Sequence, residues 1–186
     1  MDPAEKRAVA CLAGRRIDLP RESDERFPLA NAPAVYDALV ATIQRVRIDH
    51  LFCSAACGAD LLALEACERL NVGATIILPF SPDLFRPLSV MDRPGDWGPR
   101  FDRLVTSARE AGELVELGLS VDDADAFERT NVEIVNRTAR EKAKFHYAII
   151  VWEGASRGEG DVTRDLRDRA VGRGFLAVEV PTRNPA

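Results

Sequence analysis

Short runs of glycine and small residues recur in the chain where a strand is expected to end and a helix to begin. The clearest runs are residues 54–60 (SAACGAD) and residues 158–163 (GEGDVT). Free backbone N–H groups and the helix dipole at such a turn favour an anion such as a phosphate group. Small residues also suit a tight turn whose role is packing, and Asp161 is a typical N-cap residue. A phosphate-binding turn and a purely structural turn both remain open at these two places.

Charged and amide side chains are predicted near the same turns. Arg15 and Arg16 directly follow the first predicted strand, where a guanidinium group could hold a phosphate through two hydrogen bonds. Two solvated charges are the alternative. Asp60 would repel a phosphate, so its role is either a helix cap or a hydrogen bond to a ligand hydroxyl. Asn131 falls on the apolar stripe of a helix, where a ligand or a neighbouring backbone group could satisfy its amide.

Three acidic residues could support catalysis instead of binding. Glu128, Asp161 and Asp165 are candidates for a general acid or a nucleophile, although such a glutamate is often only a surface charge on a helix. The chain has two histidines and no Ser–His–Asp pattern, which argues against triad hydrolysis. It contains neither a Walker loop nor the GxGxxG fingerprint of dinucleotide-binding proteins.

The elements that must position these residues alternate between strand and helix. Continuous apolar runs indicate buried strands, and apolar residues at helical spacing indicate amphipathic helices. The predicted strands are residues 8–13, 50–55, 74–78, 113–117, 146–152 and 175–180, and the predicted helices are residues 33–46, 59–70, 97–108, 122–142 and 161–173. This order predicts an α/β fold with a mainly parallel sheet and helices on both faces. Ligands bind at the carboxyl edge of such a sheet.

Residues 80–99 are predicted to form a long loop over this edge. The segment contains four prolines besides Pro79, and a loop of this length in a compact domain is usually functional. We interpret it as a lid or specificity element, in which Arg86 could meet a phosphate. Trp97 could stack on a base, although core packing with Phe101 is the simpler interpretation.

Composition and charge limit the classes of protein to consider. The chain has 186 residues, of which 46% are hydrophobic and 30% charged, as in an ordinary globular protein. One domain over residues 1–186, with its core at about residues 8–180, is expected. The net charge of −5 argues against nucleic acid as a partner. No window of 18 apolar residues occurs and the first residues are charged, so a cytoplasmic protein without membrane contact is expected.

Cysteine usage indicates a reducing compartment and no metal centre. Cys11, Cys53, Cys57 and Cys67 lie among apolar or small residues, and reduced thiols are the simplest interpretation. Only His50 is close in sequence to the Cys53–Cys57 pair, which is a poor ligand set for zinc. We therefore predict neither a metal nor a cofactor.

Several of these segments resemble the SLOG superfamily, which includes LOG-type phosphoribohydrolases, lysine decarboxylase-like proteins, YpsA-like proteins and the Rossmann domain of DprA. The similar segments are residues 9–16 (VACLAGRR), 53–66 (CSAACGADLLALEA), 74–79 (ATIILP) and 158–163. The resemblance implies a Rossmann-like three-layer α/β/α sandwich that binds nucleotides or nucleotide-derived signals, and it is compatible with a homodimer. The phosphoribohydrolase motif PGGxGTxxE is replaced by RGEGDVTRD at residues 157–165.

The function predicted from the sequence and the resemblance is ligand sensing, with binding of a nucleotide or nucleotide-derived small molecule. The alternative is a phosphoribohydrolase-like enzyme that cleaves an N-glycosidic bond. The predicted ligand-binding residues are Gly14, Arg15, Arg16, Ser54, Cys57, Gly58, Asp60, Pro79, Ser81, Arg86, Trp97, Asn131, Gly158, Gly160 and Thr163.

Overall fold

Six parallel strands form the sheet on which the rest of the chain is built. The computed structural model describes residues 6–21 and 23–183. The strands are β1 (Lys6–Gly14), β2 (His50–Cys53), β3 (Gly73–Leu78), β4 (Leu114–Glu116), β5 (Ala143–Trp152) and β6 (Leu176–Pro181). Their spatial order is β4-β3-β2-β1-β5-β6, and every neighbouring pair is parallel. The α/β fold with a parallel sheet is therefore confirmed.

Helices cover both faces of this sheet. They are α1 (Ala32–Val46), α2 (Ala59–Leu70), α3 (Pro82–Ser89), α4 (Trp97–Glu110), α5 (Ala126–Arg140) and α6 (Val162–Gly172). Buried residues of α1, α2 and α4 form one apolar cluster with one face of the strands. Buried residues of α5 and α6 form a second cluster with the other face. The three layers agree with the predicted Rossmann-like sandwich.

The central position of β1 explains its unbroken apolar sequence. Val9 is in register with His50 of β2 on one side and with His146 of β5 on the other. Residues 8–11 have no exposed surface, because helices cover both faces of the strand. The strand order reverses between β1 and β5, and folds of this type bind ligands beside such a reversal, at the carboxyl ends of the strands.

The segment predicted as a long loop contains a helix. Helix α3 begins at Pro82, which is tolerated because the first turn of a helix does not use its N–H groups. Phe85 is almost fully buried and stacks on Phe101 of α4, with ring centroids 5.9 Å apart. This aromatic anchor fixes α3 over the carboxyl edge of the sheet. The prediction of a loop throughout residues 80–99 was wrong for the part that forms α3.

The cysteines are buried within the fold. All four are free, and burial raises the pKa of Cys11, Cys57 and Cys67 to about 12. These thiols are therefore protonated and unreactive at neutral pH. Within residues 6–21 and 23–183, no three His, Cys, Asp or Glu side chains are grouped so that they could hold a metal ion. None of the helices in these ranges is long and apolar enough to cross a membrane.

Candidate functional site

A cavity of about 450 Å³ lies at the carboxyl edge of the sheet, and we call it the edge cavity. Its floor is formed by the end of β1 and by the turn that follows β2. Helices α3 and α5 and the first residues of α6 form its walls. Its volume suits a drug-sized or nucleotide-sized molecule, because such sites usually occupy several hundred Å³.

One wall of the edge cavity is aromatic and partly open to solvent. Phe80 lies between Phe85 and Phe127, with ring centroids 6.1 Å from each. The rings of Phe80 and Phe127 meet edge to face at 78°. Phe127 remains 41% exposed, and the neighbouring Leu88 and Val121 are also exposed. A large apolar surface at the mouth of a cavity is typical of a place where a flat ligand packs.

The opposite part of the cavity presents two nearly buried polar side chains. Asp60 and Asn131 are each only 7% exposed. The Asn131 Nδ2 group donates to the Val162 carbonyl (2.7 Å) and to Asp165 Oδ2 (3.0 Å), and Asp60 Oδ2 accepts from the Ala56 N–H (3.1 Å). Among the described residues, Asn131 Oδ1 and Asp60 Oδ1 have no hydrogen-bond partner. The buried side-chain atoms without a hydrogen-bond partner in the described ranges are instead Trp152 Nε1 and Arg167 Nε. The two oxygens are therefore open to the cavity and can accept a hydrogen bond from a ligand.

The carboxyl group of Asp60 has an unusual pKa. Burial raises the pKa to about 7, against the smaller lowering effects of the Ala56 N–H and the Arg16 charge. At neutral pH the group is therefore divided between its protonated and ionised forms. It can donate a hydrogen bond in the first form and accept one in the second.

Arg15 lies outside the edge cavity, in a buried ion-pair cluster with Glu153 and Asp161. The side chain is 2% exposed, and it donates to Glu153 Oε2, to Asp161 Oδ1 and to the Ala155 carbonyl, each at 2.7 Å. Burial opposes its charge, but the hydrogen bonds to Asp161 and Glu153 outweigh that effect and raise the pKa of Arg15. With its donors used internally, Arg15 is not available to hold a phosphate.

Asp161 closes the N-terminus of α6 with its own carboxylate. Its Oδ1 accepts from the backbone N–H groups of Thr163 (3.0 Å) and Arg164 (3.2 Å), and its Oδ2 accepts from that of Arg157 (2.7 Å). Burial raises the pKa of Asp161, but the bonds from Arg15 and from these N–H groups lower it further, to about 2. Asp161 is therefore ionised at neutral pH and acts as an N-cap.

The structure brings six of the sequence-predicted residues together at the edge cavity: Gly14, Arg16, Ser54, Asp60, Asn131 and Thr163. Five others surround a separate shallow depression of about 200 Å³ beside α6: Glu128, Gly158, Gly160, Asp161 and Asp165. The three acidic candidates for catalysis thus lie outside the edge cavity. Asp165 is also engaged, since it accepts hydrogen bonds from Asn131 and from Arg169.

The remaining predicted residues do not line the edge cavity, because other contacts hold them. Arg86 forms two hydrogen bonds with Asp102 of α4, at 2.8 and 2.9 Å. Trp97 is buried in the core, where its indole N–H donates to the Pro94 carbonyl. Cys57 is fully buried in the turn after β2. Gly58 belongs to the turn after β2. Pro79 and Ser81 belong to the turn after β3, and Ser81 is the N-cap residue of α3.

The glycines at the first two turns are needed for close packing. A Cβ atom on Gly14 would lie 2.4 Å from the Ala59 Cβ and 2.7 Å from the Val151 Cβ. Gly58 has a φ of +90°, and a Cβ atom there would lie 2.8 Å from the Arg15 carbonyl oxygen. The chain therefore requires glycine at both positions whether or not a ligand is bound.

Sequence reasoning missed Phe80, Phe85, Phe127 and Arg157 as cavity residues. Phe127 belongs to the apolar stripe of α5, and that stripe continues from the core to the cavity wall. Arg157 lines the cavity, and its guanidinium forms no ion pair with residues in the described ranges. Burial and the nearby charges of Arg15 and Arg26 lower the pKa of Arg157. An aromatic residue two positions after the end of a strand, as at Phe80, was the signal available in the sequence.

Two solved structures share this fold. The X-ray structure of DNA processing protein A (DprA) from Streptococcus pneumoniae matches with a TM-score of 0.55 and 12% sequence identity, over 95% of this chain and 50% of DprA. The X-ray structure of TM1055, a structural-genomics target, matches with a TM-score of 0.51 and 13% identity, over 96% of this chain and 75% of TM1055. The chain thus spans about half the length of DprA.

DprA is one of the proteins that the sequence resembles, and at 12% identity the match shows that this chain shares its fold. No protein-family model matches the chain, and no curated protein matches it in sequence.

Proposed function

We propose that the chain binds a nucleotide or a nucleotide-derived small molecule in the edge cavity and acts as a ligand-sensing module. One observation carries this proposal: two nearly buried side chains, Asp60 and Asn131, each offer an acceptor oxygen without a partner among the described residues, in the same cavity as an open aromatic wall. A flat base with polar edges and a hydroxylated sugar is complementary to such a surface. The SLOG-type fold supports the same ligand class.

The aromatic wall and the polar groups of the cavity suit different parts of such a ligand. A base packs against Phe127 and Phe80, where stacking is worth about 1–3 kcal/mol. Its polar edge or the sugar hydroxyls then pair with Asn131 Oδ1 and with the Asp60 carboxyl group. Val162 and Asp165 hold the Asn131 amide in place, so the acceptor is oriented before the ligand arrives.

A matched pair of variants tests the proposal. Calorimetry is carried out on the native protein, Phe127→Ala and Phe145→Ala with nucleosides, nucleotides, cyclic nucleotides, NAD and ADP-ribose. Phe127 and Phe145 are equally exposed, at 41% and 40%, but Phe145 lies on β5 away from the cavity lining. Phe127→Ala is expected to weaken binding about 5- to 150-fold, from the stacking energy above, and Phe145→Ala to leave it unchanged. The absence of binding across the panel, or an equal effect of the two variants, would reject the proposal.

A second candidate function is cleavage of an N-glycosidic bond, and Asp60 is the observation in its favour. A carboxyl group with a pKa of about 7 can protonate a leaving base at neutral pH, while water adds to the sugar carbon. Removing a general acid costs about 10²- to 10⁴-fold in rate. Release of free base from nucleosides and nucleoside monophosphates is measured by chromatography. If the native protein releases base and Asp60→Asn releases it as fast, this role is refuted.

A further inference from the structure

The protein's own carboxyl groups lie at the N-terminal ends of the two helices that open at the edge cavity. Asp161 accepts hydrogen bonds from three backbone N–H groups around the N-terminus of α6. Asp60, in the first turn of α2, accepts the Ala56 N–H at the turn after β2. Asp161 thus takes the N–H donors that a phosphate group would need at α6, whereas no side chain caps α2 and Asp60 acts there through its charge. An incoming phosphate would therefore meet carboxyl groups at both places.

The charges that line the cavity do not compensate for this. Its ionisable lining residues are Arg16, Asp60, Asp123 and Arg157. Arg16 is paired with Asp92 at 2.7 Å, and Asp123 is paired with Arg129 at 2.6 Å. Arg157 on the exposed rim and Asp60 on the floor are left, and their charges have opposite signs. A phosphate monoester with its charge of about −1.5 to −2 finds no net positive field there.

Asp60 also provides a positive reason for an uncharged ligand. The side chain is nine-tenths buried, and its Oδ1 atom has no hydrogen-bond partner among the residues that the structure describes. A sugar hydroxyl can donate to the ionised carboxylate or accept from the protonated acid, whereas an ionised phosphate only accepts. A hydroxyl therefore suits Asp60 in both protonation states.

We infer that the edge cavity prefers nucleosides to their 5′-monophosphates. The inference rests on the proposed function and narrows its ligand class. Asp60 is the residue that determines the preference, because its carboxyl group lies in the first turn of α2 and, when ionised, repels a phosphate there. Arg157 adds an exposed contact that is worth little to an anion in water.

The preference depends on pH through Asp60. The charged and titratable groups that act on Asp60 are the Arg16 guanidinium on the loop after β1 and the Cys53 thiol on β2. The pKa of Cys53 is raised well above its usual value by burial, so that thiol stays neutral over the tested range. Ionisation of Asp60 between pH 6 and pH 8 is expected to weaken monophosphate binding and to affect nucleoside binding much less.

The test is calorimetric titration of the native protein with adenosine, guanosine, cytidine, uridine and their 5′-monophosphates at pH 6 and pH 8. The bound nucleoside is expected to exceed its monophosphate in affinity by about tenfold or more at pH 8, and by less at pH 6. Asp60→Asn removes the carboxylate and is expected to reduce the ratio and its pH dependence. The ratio in the native protein is the primary measurement, so the test does not require the variant to fold.

The outcomes separate the inference from the proposed function. Tighter binding of the monophosphate than of its nucleoside at pH 8 would overturn the inference and leave nucleotide binding intact. Equal affinities would overturn it in the same way. If neither form of any nucleoside binds, the proposed function itself fails and the inference fails with it.

Discussion

The stability of Asp60→Asn relative to that of the native protein should be higher at pH 8 than at pH 5. The folded-state pKa of Asp60 is raised to about 7 from an ordinary value of 3.8. A raised folded pKa contributes stability that is complete below pH 3.8 and is lost as the pH rises through about 7. From pH 5 to about pH 7 the folded protein keeps the Asp60 proton, whereas the unfolded chain has lost it. Over these roughly two pH units the free energy of unfolding therefore falls by about 2–3 kcal/mol.

The assay is urea unfolding of the native protein and of Asp60→Asn at both pH values. Asparagine can still accept the Ala56 N–H, so the turn after β2 keeps its hydrogen bond. The stability difference between the two proteins is expected to shift in favour of the variant by about 2–3 kcal/mol from pH 5 to pH 8. Asp102→Asn, at an exposed carboxylate on α4, controls for the loss of a negative charge. A difference that is the same at pH 5 and pH 8 would refute the assignment of a perturbed carboxyl group to Asp60.

Three further results are expected. Arg15→Met leaves the buried Asp161 carboxylate without its ion-pair partner and Glu153 with Arg26 alone, and should cost about 3–5 kcal/mol in urea unfolding; a loss below 1 kcal/mol would contradict the buried cluster. Because the pKa of Asp161 is lowered to about 2, its contribution to stability is complete above pH 3.8 and should disappear, in acid titrations followed by circular dichroism, as the pH falls towards 2. Gly14→Ala places a Cβ atom 2.4 Å from Ala59 and should cost about 1–3 kcal/mol, whereas Gly172→Ala, with open space around it, should cost nothing.

The order and type of the strands could be predicted because the physical signal is local. The inner strands β1, β2 and β3 and the second half of β5 are buried by helices on both faces, so their sequences are apolar almost throughout. Turn residues separate each strand from the next helix. Helix α2 was predicted with the bounds that the structure shows, since it consists of strong helix formers between Gly58 and Asn71. Helix α3 was not predicted because its prolines are typical of a loop. The contact that stabilises it, Phe85 on Phe101 of α4, is not visible in the local sequence.

The site could be predicted only in part, because its contacts are distant in sequence. Arg15 and Arg16 are adjacent and of the same type, yet one is buried with Glu153 and Asp161 while the other borders the cavity. Nothing in residues 14–16 distinguishes the two, because the partners of Arg15 lie more than a hundred residues away. The local sequence around Phe127 likewise does not show whether this residue of the apolar stripe packs in the core or lines the cavity.

The central strand has a consequence for how the protein is made. Strand β1 is completed by β5, whose Ala143 is in register with Lys6 and whose Val151 is in register with Gly14. During synthesis β1 cannot pair with β5 until the last third of this sequence has been made, and such distant pairings form slowly. The edge cavity also needs α5 and α6. A nascent chain that ends after β4 has four neighbouring strands but lacks the walls of the edge cavity that α5 and α6 form.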